Sequence, residues 1–395
     1  MEYKSFQPPR RRLMGPGPSD VPERILEAMA RPTVGHLDPT FVELMDEIKA
    51  LLQYAFKTSN SLTMPVSGPG TAGMESCFVN LIEKGDKIVI CQNGVFGGRM
   101  KEMSARAGAE VVLVEDTWGD PVSVDKLTKA LQDNPDATLV GFVHAETSTG
   151  ALSDAETLID VAHQHDCLTI VDAVTSLGGS PLYVDEWGAD AVYSGSQKCL
   201  SCTPGLSPIT LADSATEKIK DRTSPVQSWF MDVTLVMNYW GEGVKRSYHH
   251  TAPINALYGL HESLVILHEE GIENAWERHV RNHKALQAGL DALGLSFMVK
   301  EGARIPQLNA VTIPGGVDEA RVRSRLLDEH QLEIGAGLGP MAGKIWRIGL
   351  MGHSSRPDNV EHCLRALAAV LSDEGLSVDG TEAVEASREM LGVSA

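Results

Sequence analysis

The chain is poor in cysteine, carries fewer basic than acidic residues, and nowhere holds a long apolar run. Its six cysteines, Cys77, Cys91, Cys167, Cys199, Cys202 and Cys363, are scattered irregularly over 395 residues. That sparseness excludes a disulfide framework and makes reduced thiols the expectation. Cys199 and Cys202 form a lone C-x-x-C without a second pair or spaced histidines, so a tetrahedral zinc site cannot be completed and no metal is expected. Thirty-four Lys and Arg face fifty-three Asp and Glu, and a net charge of -19 repels a polyphosphate backbone, which argues against nucleic acid as a partner. No stretch approaches the roughly 18 apolar residues of a membrane span, and no apolar core of a secretory signal stands near the start, so a soluble, cytoplasmic protein is expected. Arg10 to Arg12, the one basic cluster, reads as a solvated or partner-contacting arm.

What the chain does hold is an ordinary globular composition, 43% apolar and 22% charged. Its length suits two or three packed units of roughly 100 to 200 residues each. Between residues 60 and 215, short apolar runs alternate with helical patterns. The runs are Leu62 to Val66, Lys87 to Cys91, Glu110 to Val114, Thr138 to Val143, Leu168 to Val171, Ala189 to Tyr193 and Pro208 to Leu211. Between them, apolar residues recur at three and four spacing, as in Met74, Phe78, Leu81 and Ile82. Such alternation predicts an α/β fold, a mostly parallel sheet sandwiched by helices, with the chemistry-bearing strand ends on one edge. After a long helical pattern from Pro253 towards Gly271, short strands and helices predict a smaller α+β domain. The expected division is an arm over 1–20, where prolines 8, 9, 16 and 18 preclude a helix, a large domain over 21–270 and a small one over 271–395. The last residues suggest a short amphipathic helix.

Three strand ends carry chemistry. Gly68, Gly70 and Gly73 spell G-x-G-x-x-G between a strand and a helix, a pattern that bares backbone N–H groups for an anion. A dinucleotide site would need an acidic residue at the end of the next strand, where Gln92 and Asn93 stand instead. A phosphate site, a structural tight turn and a nicotinamide or flavin site remain as readings of the loop. Asp172 emerges from the apolar strand beginning at Leu168 and has three readings: a turn cap, a metal ligand, or the partner of a cationic nitrogen. Lys198, after Ser194, Gly195, Ser196 and Gln197, is either a surface lysine or a Schiff-base nucleophile with room for a ring. Together an anion loop, an aspartate and a lysine on strand ends meet the three needs of pyridoxal phosphate.

Landmarks spread along the chain carry a more specific likeness: Gly15-Pro-Gly-Pro-Ser19, Met45-Asp-Glu-Ile48, Ser67-Gly-Pro-Gly70, Glu146-Thr-Ser-Thr-Gly150, Val171-Asp-Ala173, Ser176-Leu-Gly-Gly179, Ser194-Gly-Ser-Gln-Lys198, Tyr248-His-His-Thr251 and Arg347-Ile-Gly349. With them the chain resembles the fold type I, class V aminotransferases, and within that class the alanine:glyoxylate (serine:pyruvate) aminotransferases. The resemblance implies that Lys198 carries pyridoxal phosphate and moves the proton, and that Asp172 holds the pyridine nitrogen protonated. It implies that Gly70, Thr71 and Gln197 contact the phosphate, joined by Tyr248 and Thr251 from the partner subunit of a homodimer. Thr147 would lie near the ring hydroxyl, Phe96 would stack on the ring, and Arg347 would grip the substrate carboxylate. The chain departs from many relatives in placing Phe96 where an indole stands, and from some in placing Thr71 where a histidine stands; Pro69 removes one N–H donor from the loop. The activity implied is transfer of an amino group from L-alanine or L-serine to glyoxylate. Alternatives in the same family are serine:glyoxylate, ureidoglycine:glyoxylate and hydroxykynurenine transaminases. A nicotinamide-dependent oxidoreductase is the distant alternative.

Overall fold

A computed structural model describes residues 3–241 and 246–392. Every run expected as a strand between residues 60 and 215 joins one seven-stranded sheet. From one edge the order is Leu62–Ser67, Leu206–Leu211, Ala191–Tyr193, Leu168–Asp172, Ala137–Val143, Lys87–Gln92 and Glu110–Glu115. Leu206–Leu211 is antiparallel to both neighbours, whereas the other pairings are parallel. Apart from the partly exposed edge strand Glu110–Glu115, these strands are buried on both faces, which is why they read as continuous apolar runs rather than alternating ones. Helices cover the faces. Several are capped by their own sequence: Asp38 accepts from the Thr40 N–H at 2.9 Å before Pro39–Phe56, and Asp154 accepts from Thr157 at 3.2 Å before Ala155–Gln164.

A second, three-stranded antiparallel sheet places Ile345–Gly349 between Leu308–Thr312 and Gly335–Ala336. Helices Glu319–His330, Pro357–Asp373 and Gly380–Leu391 belong to this smaller unit, the last being the short helix expected near the end. On the central strand Trp346 and Ile348 enter the apolar core, so Arg347 between them projects from the opposite face. Helix Ile272–Ala292 serves both cores: Ile272, Ala275 and Trp276 pack with the large one, Ala285, Leu286 and Leu290 with the small one.

The arm is anchored from Arg11 onward. Arg12–Leu13 pairs in parallel with Leu332–Glu333, and Met14 is fully buried in the small core. Arg11 donates to the Leu327 carbonyl at 3.0 Å and Arg12 to Asn359 Oδ1 at 2.8 Å, so two of the three clustered arginines anchor the arm rather than face solvent. From there the arm runs to the carboxyl edge of the large sheet. All six cysteines are buried and unpaired. Among the described residues, no helix is long and apolar enough to cross a membrane and no cluster of His, Cys, Asp and Glu is arranged to hold a metal.

Candidate active site

The parallel strands deliver their loops to one place. Loop 68–71 follows Leu62–Ser67, Phe96 stands in the first turn after Lys87–Gln92, and Glu146 and Thr147 follow Ala137–Val143. Asp172 ends its strand, and Gln197 and Lys198 follow Ala191–Tyr193. Gly70 begins helix Gly70–Leu81; a Cβ there would lie 3.3 Å from Val174 Cγ2 and 3.5 Å from the Ser194 carbonyl. The bare backbone thus brings the helix N-terminus close to the loops beyond Asp172 and Tyr193.

Lys198 is 8% exposed, and its Nζ donates to the Pro16 carbonyl of the arm. Gly17 lies directly on it with φ +95°, where an added Cβ would come within 2.7 Å of Lys198 Cδ. The Ser19 hydroxyl donates to the Lys198 carbonyl at 2.8 Å and the Ser19 N–H to the Gln197 carbonyl at 3.0 Å. Burial, followed by the like charge of Arg347, brings the Lys198 ammonium down to about 8. A nucleophilic amine is therefore accessible near neutral pH.

Asp172 is 2% exposed. Its Oδ1 accepts the Val174 N–H at 2.8 Å and its Oδ2 accepts the Tyr193 hydroxyl at 2.8 Å. The carboxylate therefore caps its turn, one of the readings left open by the sequence, and has a second donor as well. Burial nonetheless pushes it up to about 7, the two hydrogen bonds opposing. A carboxylate in that state is stabilised by any cation brought against it.

Arg347 is 6% exposed; its Nε donates to the Ala336 carbonyl at 2.7 Å and its Nη1 to the Thr147 carbonyl at 3.2 Å. Two of its five donors are occupied by the protein and hold the fork still, leaving the others for a ligand. Burial lowers it to about 10. The Thr147 hydroxyl meets that of Thr175, both buried. Gln197 Oε1 is buried with no partner among the described residues. The site as built can bind an anion at the helix start, trap a carbonyl at Lys198, hold a cationic ring nitrogen at Asp172 and clamp a carboxylate at Arg347.

Phe96 is half-buried, and the acid of Glu146 fixes the turn that carries it. Glu146 is fully buried and accepts the Phe96 N–H at 3.2 Å and the Ser148 N–H at 2.9 Å. Tyr248 and Thr251 stand apart from this cluster. Tyr248 is 60% exposed with its ring 5.2 Å from that of His36, and neither hydroxyl makes a hydrogen bond among the described residues. Their segment is hydrogen-bonded to the sheet through Ser67 Oγ and His250 Nε2, 2.9 Å apart.

The sequence profile of the family described as "Aminotransferase class-V" matches residues 13–354. The chain belongs to the class-V aminotransferases. It is 39% identical over 371 residues to the alanine–glyoxylate aminotransferase of Rattus norvegicus, covering 93% of this chain and 89% of the relative. Among solved structures, an alanine–glyoxylate aminotransferase from Nostoc sp. superposes with a TM-score of 0.92 at 45% identity, over 94% of this chain and 98% of that one. The ureidoglycine–glyoxylate aminotransferase of Bacillus subtilis superposes with a TM-score of 0.96 at 36% identity, over 98% of this chain and 100% of that one. The protein is accordingly an enzyme of the aminotransferase class, with the fold of type I pyridoxal-phosphate-dependent transferases and a smaller C-terminal domain.

Three parts of this aminotransferase site carry no signal of their own in the sequence. Tyr193 reads as one more buried strand residue, and only its register opposite Asp172 reveals the contact. Pro16 and Gly17 meet Lys198 across 182 positions of chain. Glu146 stands in a quoted landmark, yet its task of holding the Phe96 turn depends on how two loops meet.

Proposed function

We propose that this class-V aminotransferase uses pyridoxal phosphate to move the amino group of L-alanine or L-serine to glyoxylate, releasing pyruvate or hydroxypyruvate and glycine. One observation carries the reading: a buried lysine with its ammonium lowered to about 8 shares one edge of the large sheet with the buried carboxylate of Asp172 and the start of helix Gly70–Leu81, and Arg347 of the small sheet reaches the Thr147 carbonyl at that edge. The residues fit the cofactor. Gly70 leaves the helix N-terminus bare, and the buried Asp172 carboxylate, raised by desolvation, would be stabilised by a protonated ring nitrogen brought against it.

Pyridoxal phosphate, when bound, supplies a conjugated ring that takes up the electron pair left when the donor's Cα–H bond breaks. Lys198 Nζ would be the nucleophile for its aldehyde and the base and acid that carry the proton between carbon atoms. Asp172 would keep a proton on the ring nitrogen. Gly70, Thr71 and Gln197 would hold the phosphate, Phe96 would cover the ring, and the Thr147 hydroxyl would serve the ring hydroxyl. Arg347 binds the carboxylate common to donor and acceptor, which fixes the Cα–H bond relative to Lys198.

Small substrates fit best. Arg31 pairs with Glu262 at 3.4 Å and Arg246 with Asp46, so neither stands free to receive the distal carboxylate of a longer keto acid. The likeness to ureidoglycine–glyoxylate aminotransferase supports a second reading, with the same acceptor and a different donor. A matrix of amino donors against glyoxylate, pyruvate and 2-oxoglutarate tests both: glyoxylate should be the preferred acceptor, and the donor row separates alanine, serine and ureidoglycine. We further read the enzyme as a cytoplasmic homodimer, in which Tyr248 and Thr251 complete the partner's phosphate site. Six unpaired cysteines and the unengaged hydroxyls of that exposed segment support this reading. Co-refolding inactive Lys198→Ala and Tyr248→Ala variants should restore activity in mixed dimers.

A further inference from the structure

Arg99 stands in the second turn of helix Val95–Ala107, and its Nη1 reaches across to Thr71 Oγ1 at 3.3 Å, in the first turn of helix Gly70–Leu81. Its guanidinium carbon lies 4.9 Å from the centre of the Phe96 ring, three positions earlier on the same helix, so the cation is held against an aromatic face. No carboxylate pairs with Arg99 among the described residues. Some arginines are matched to acids, as Arg24 is with Glu262, Arg278 with Glu270 and Arg388 with Glu361, while Arg222, Arg304 and Arg347 donate to backbone carbonyls. What sets Arg99 apart is its place: a half-buried guanidinium without a carboxylate, hydrogen-bonded to Thr71 at the start of helix Gly70–Leu81.

The charge balance at the helix start points the same way. A phosphate monoester carries about -1.5 to -2 near neutral pH, whereas a helix N-terminus offers about +0.5. Gly70, Thr71 and Gln197 add hydrogen-bond donors but no charge, and Pro69 lacks an N–H to contribute. Arg99 holds a full charge and four further N–H donors at the edge of that turn.

We propose that Arg99 is a phosphate-binding residue of this enzyme, supplying from helix Val95–Ala107 the positive charge that the start of helix Gly70–Leu81 lacks. The proposal rests on the cofactor reading above, and it gives the Arg99–Phe96 contact a purpose, since one helix turn then presents both the ring cover and the phosphate's counter-charge.

The competing role is a brace for Phe96 alone. Two probes separate the roles: pyridoxal phosphate, and pyridoxal, which has the same ring and aldehyde without the phosphate. The full chain freed of cofactor is titrated with each, and imine absorbance gives two dissociation constants. Arg99→Gln should weaken pyridoxal phosphate by roughly tenfold or more and pyridoxal by less than about twofold, with Arg99→Lys losing less of that difference. Equal weakening of both probes makes Arg99 a brace, and no weakening removes it from the site; either result overturns the proposal. If Arg99→Gln shows no melting transition, the same ratio read on Arg99→Lys decides, an unchanged ratio together with unchanged affinities counting against a phosphate contact. A wild-type chain that forms the chromophore with neither probe fails the cofactor reading instead, and this inference falls with it.

Discussion

The Tyr193 hydroxyl donates a 2.8 Å hydrogen bond to Asp172 Oδ2, and the two residues lie opposite each other in adjacent parallel strands. Burial, reinforced by the carboxylate itself, raises the phenol well above its ordinary range, so it stays a donor at every working pH. Hydrogen bonds to charged groups contribute about 1.5–3 kcal/mol. Tyr193→Phe should therefore leave the fold intact and lower kcat by roughly tenfold, with the acid limb of the kcat profile moved to higher pH as Asp172 loses a partner for its charged form. An unchanged kcat and profile would reduce Tyr193 to packing.

Asp172 itself makes a stability prediction opposite in sign to the usual salt-bridged aspartate. Its carboxyl is raised from 3.8 to about 7 in the folded chain, so the folded state binds the proton more tightly than the unfolded one. The contribution of Asp172 to the stability of the cofactor-free protein is then fullest below the unfolded pKa and declines as pH rises through the interval to about 7. Asp172→Asn mimics the protonated acid. It should melt several degrees above wild type near pH 8 and close to wild type near pH 4, while its transaminase activity collapses. A variant less stable than wild type at the higher pH would contradict the raised pKa.

Gly17→Ala tests the arm. At φ +95° an alanine is strained, and its Cβ would stand 2.7 Å from Lys198 Cδ. The expected outcome is a folded protein whose capture of pyridoxal phosphate is slowed and weakened by roughly tenfold. Wild-type capture kinetics would mean that the arm yields freely over the lysine.

These contacts mark where sequence reading stops. Six of the seven strands were legible because strands covered on both faces must be apolar throughout, and the partly exposed edge strand Glu110–Glu115 by its Val-Val-Leu-Val run; Gly, Asp and Lys at the strand ends stand out against that background. The direction of Leu206–Leu211 was not legible, since a strand buried on both faces looks the same whichever way it runs. Arg12–Leu13 is too short to show a period, and its partner Leu332–Glu333 lies at the far side of the chain. Tyr193 and Pro16 serve the site through register and chain closure, properties of the assembled sheet rather than of any local pattern.

Arg347 should govern every substrate alike. Replacing its bidentate fork by the point charge of lysine costs about 1.5 kcal/mol or more, so Arg347→Lys should raise KM for all donors and acceptors by roughly tenfold or more. Wild-type kcat/KM should strongly favour glyoxylate over 2-oxoglutarate, because Arg31 and Arg246 are held by Glu262 and Asp46. Comparable efficiency with the two acceptors would show that one of these ion pairs opens to bind a second carboxylate.

The most direct test of the account is chemical. Borohydride reduction of the protein loaded with pyridoxal phosphate, followed by peptide mapping, should place the pyridoxyl group on Lys198, the lysine that lies under Gly17 with its ammonium lowered to about 8. A label on any other lysine, or no label on a protein that has bound the cofactor, would contradict it.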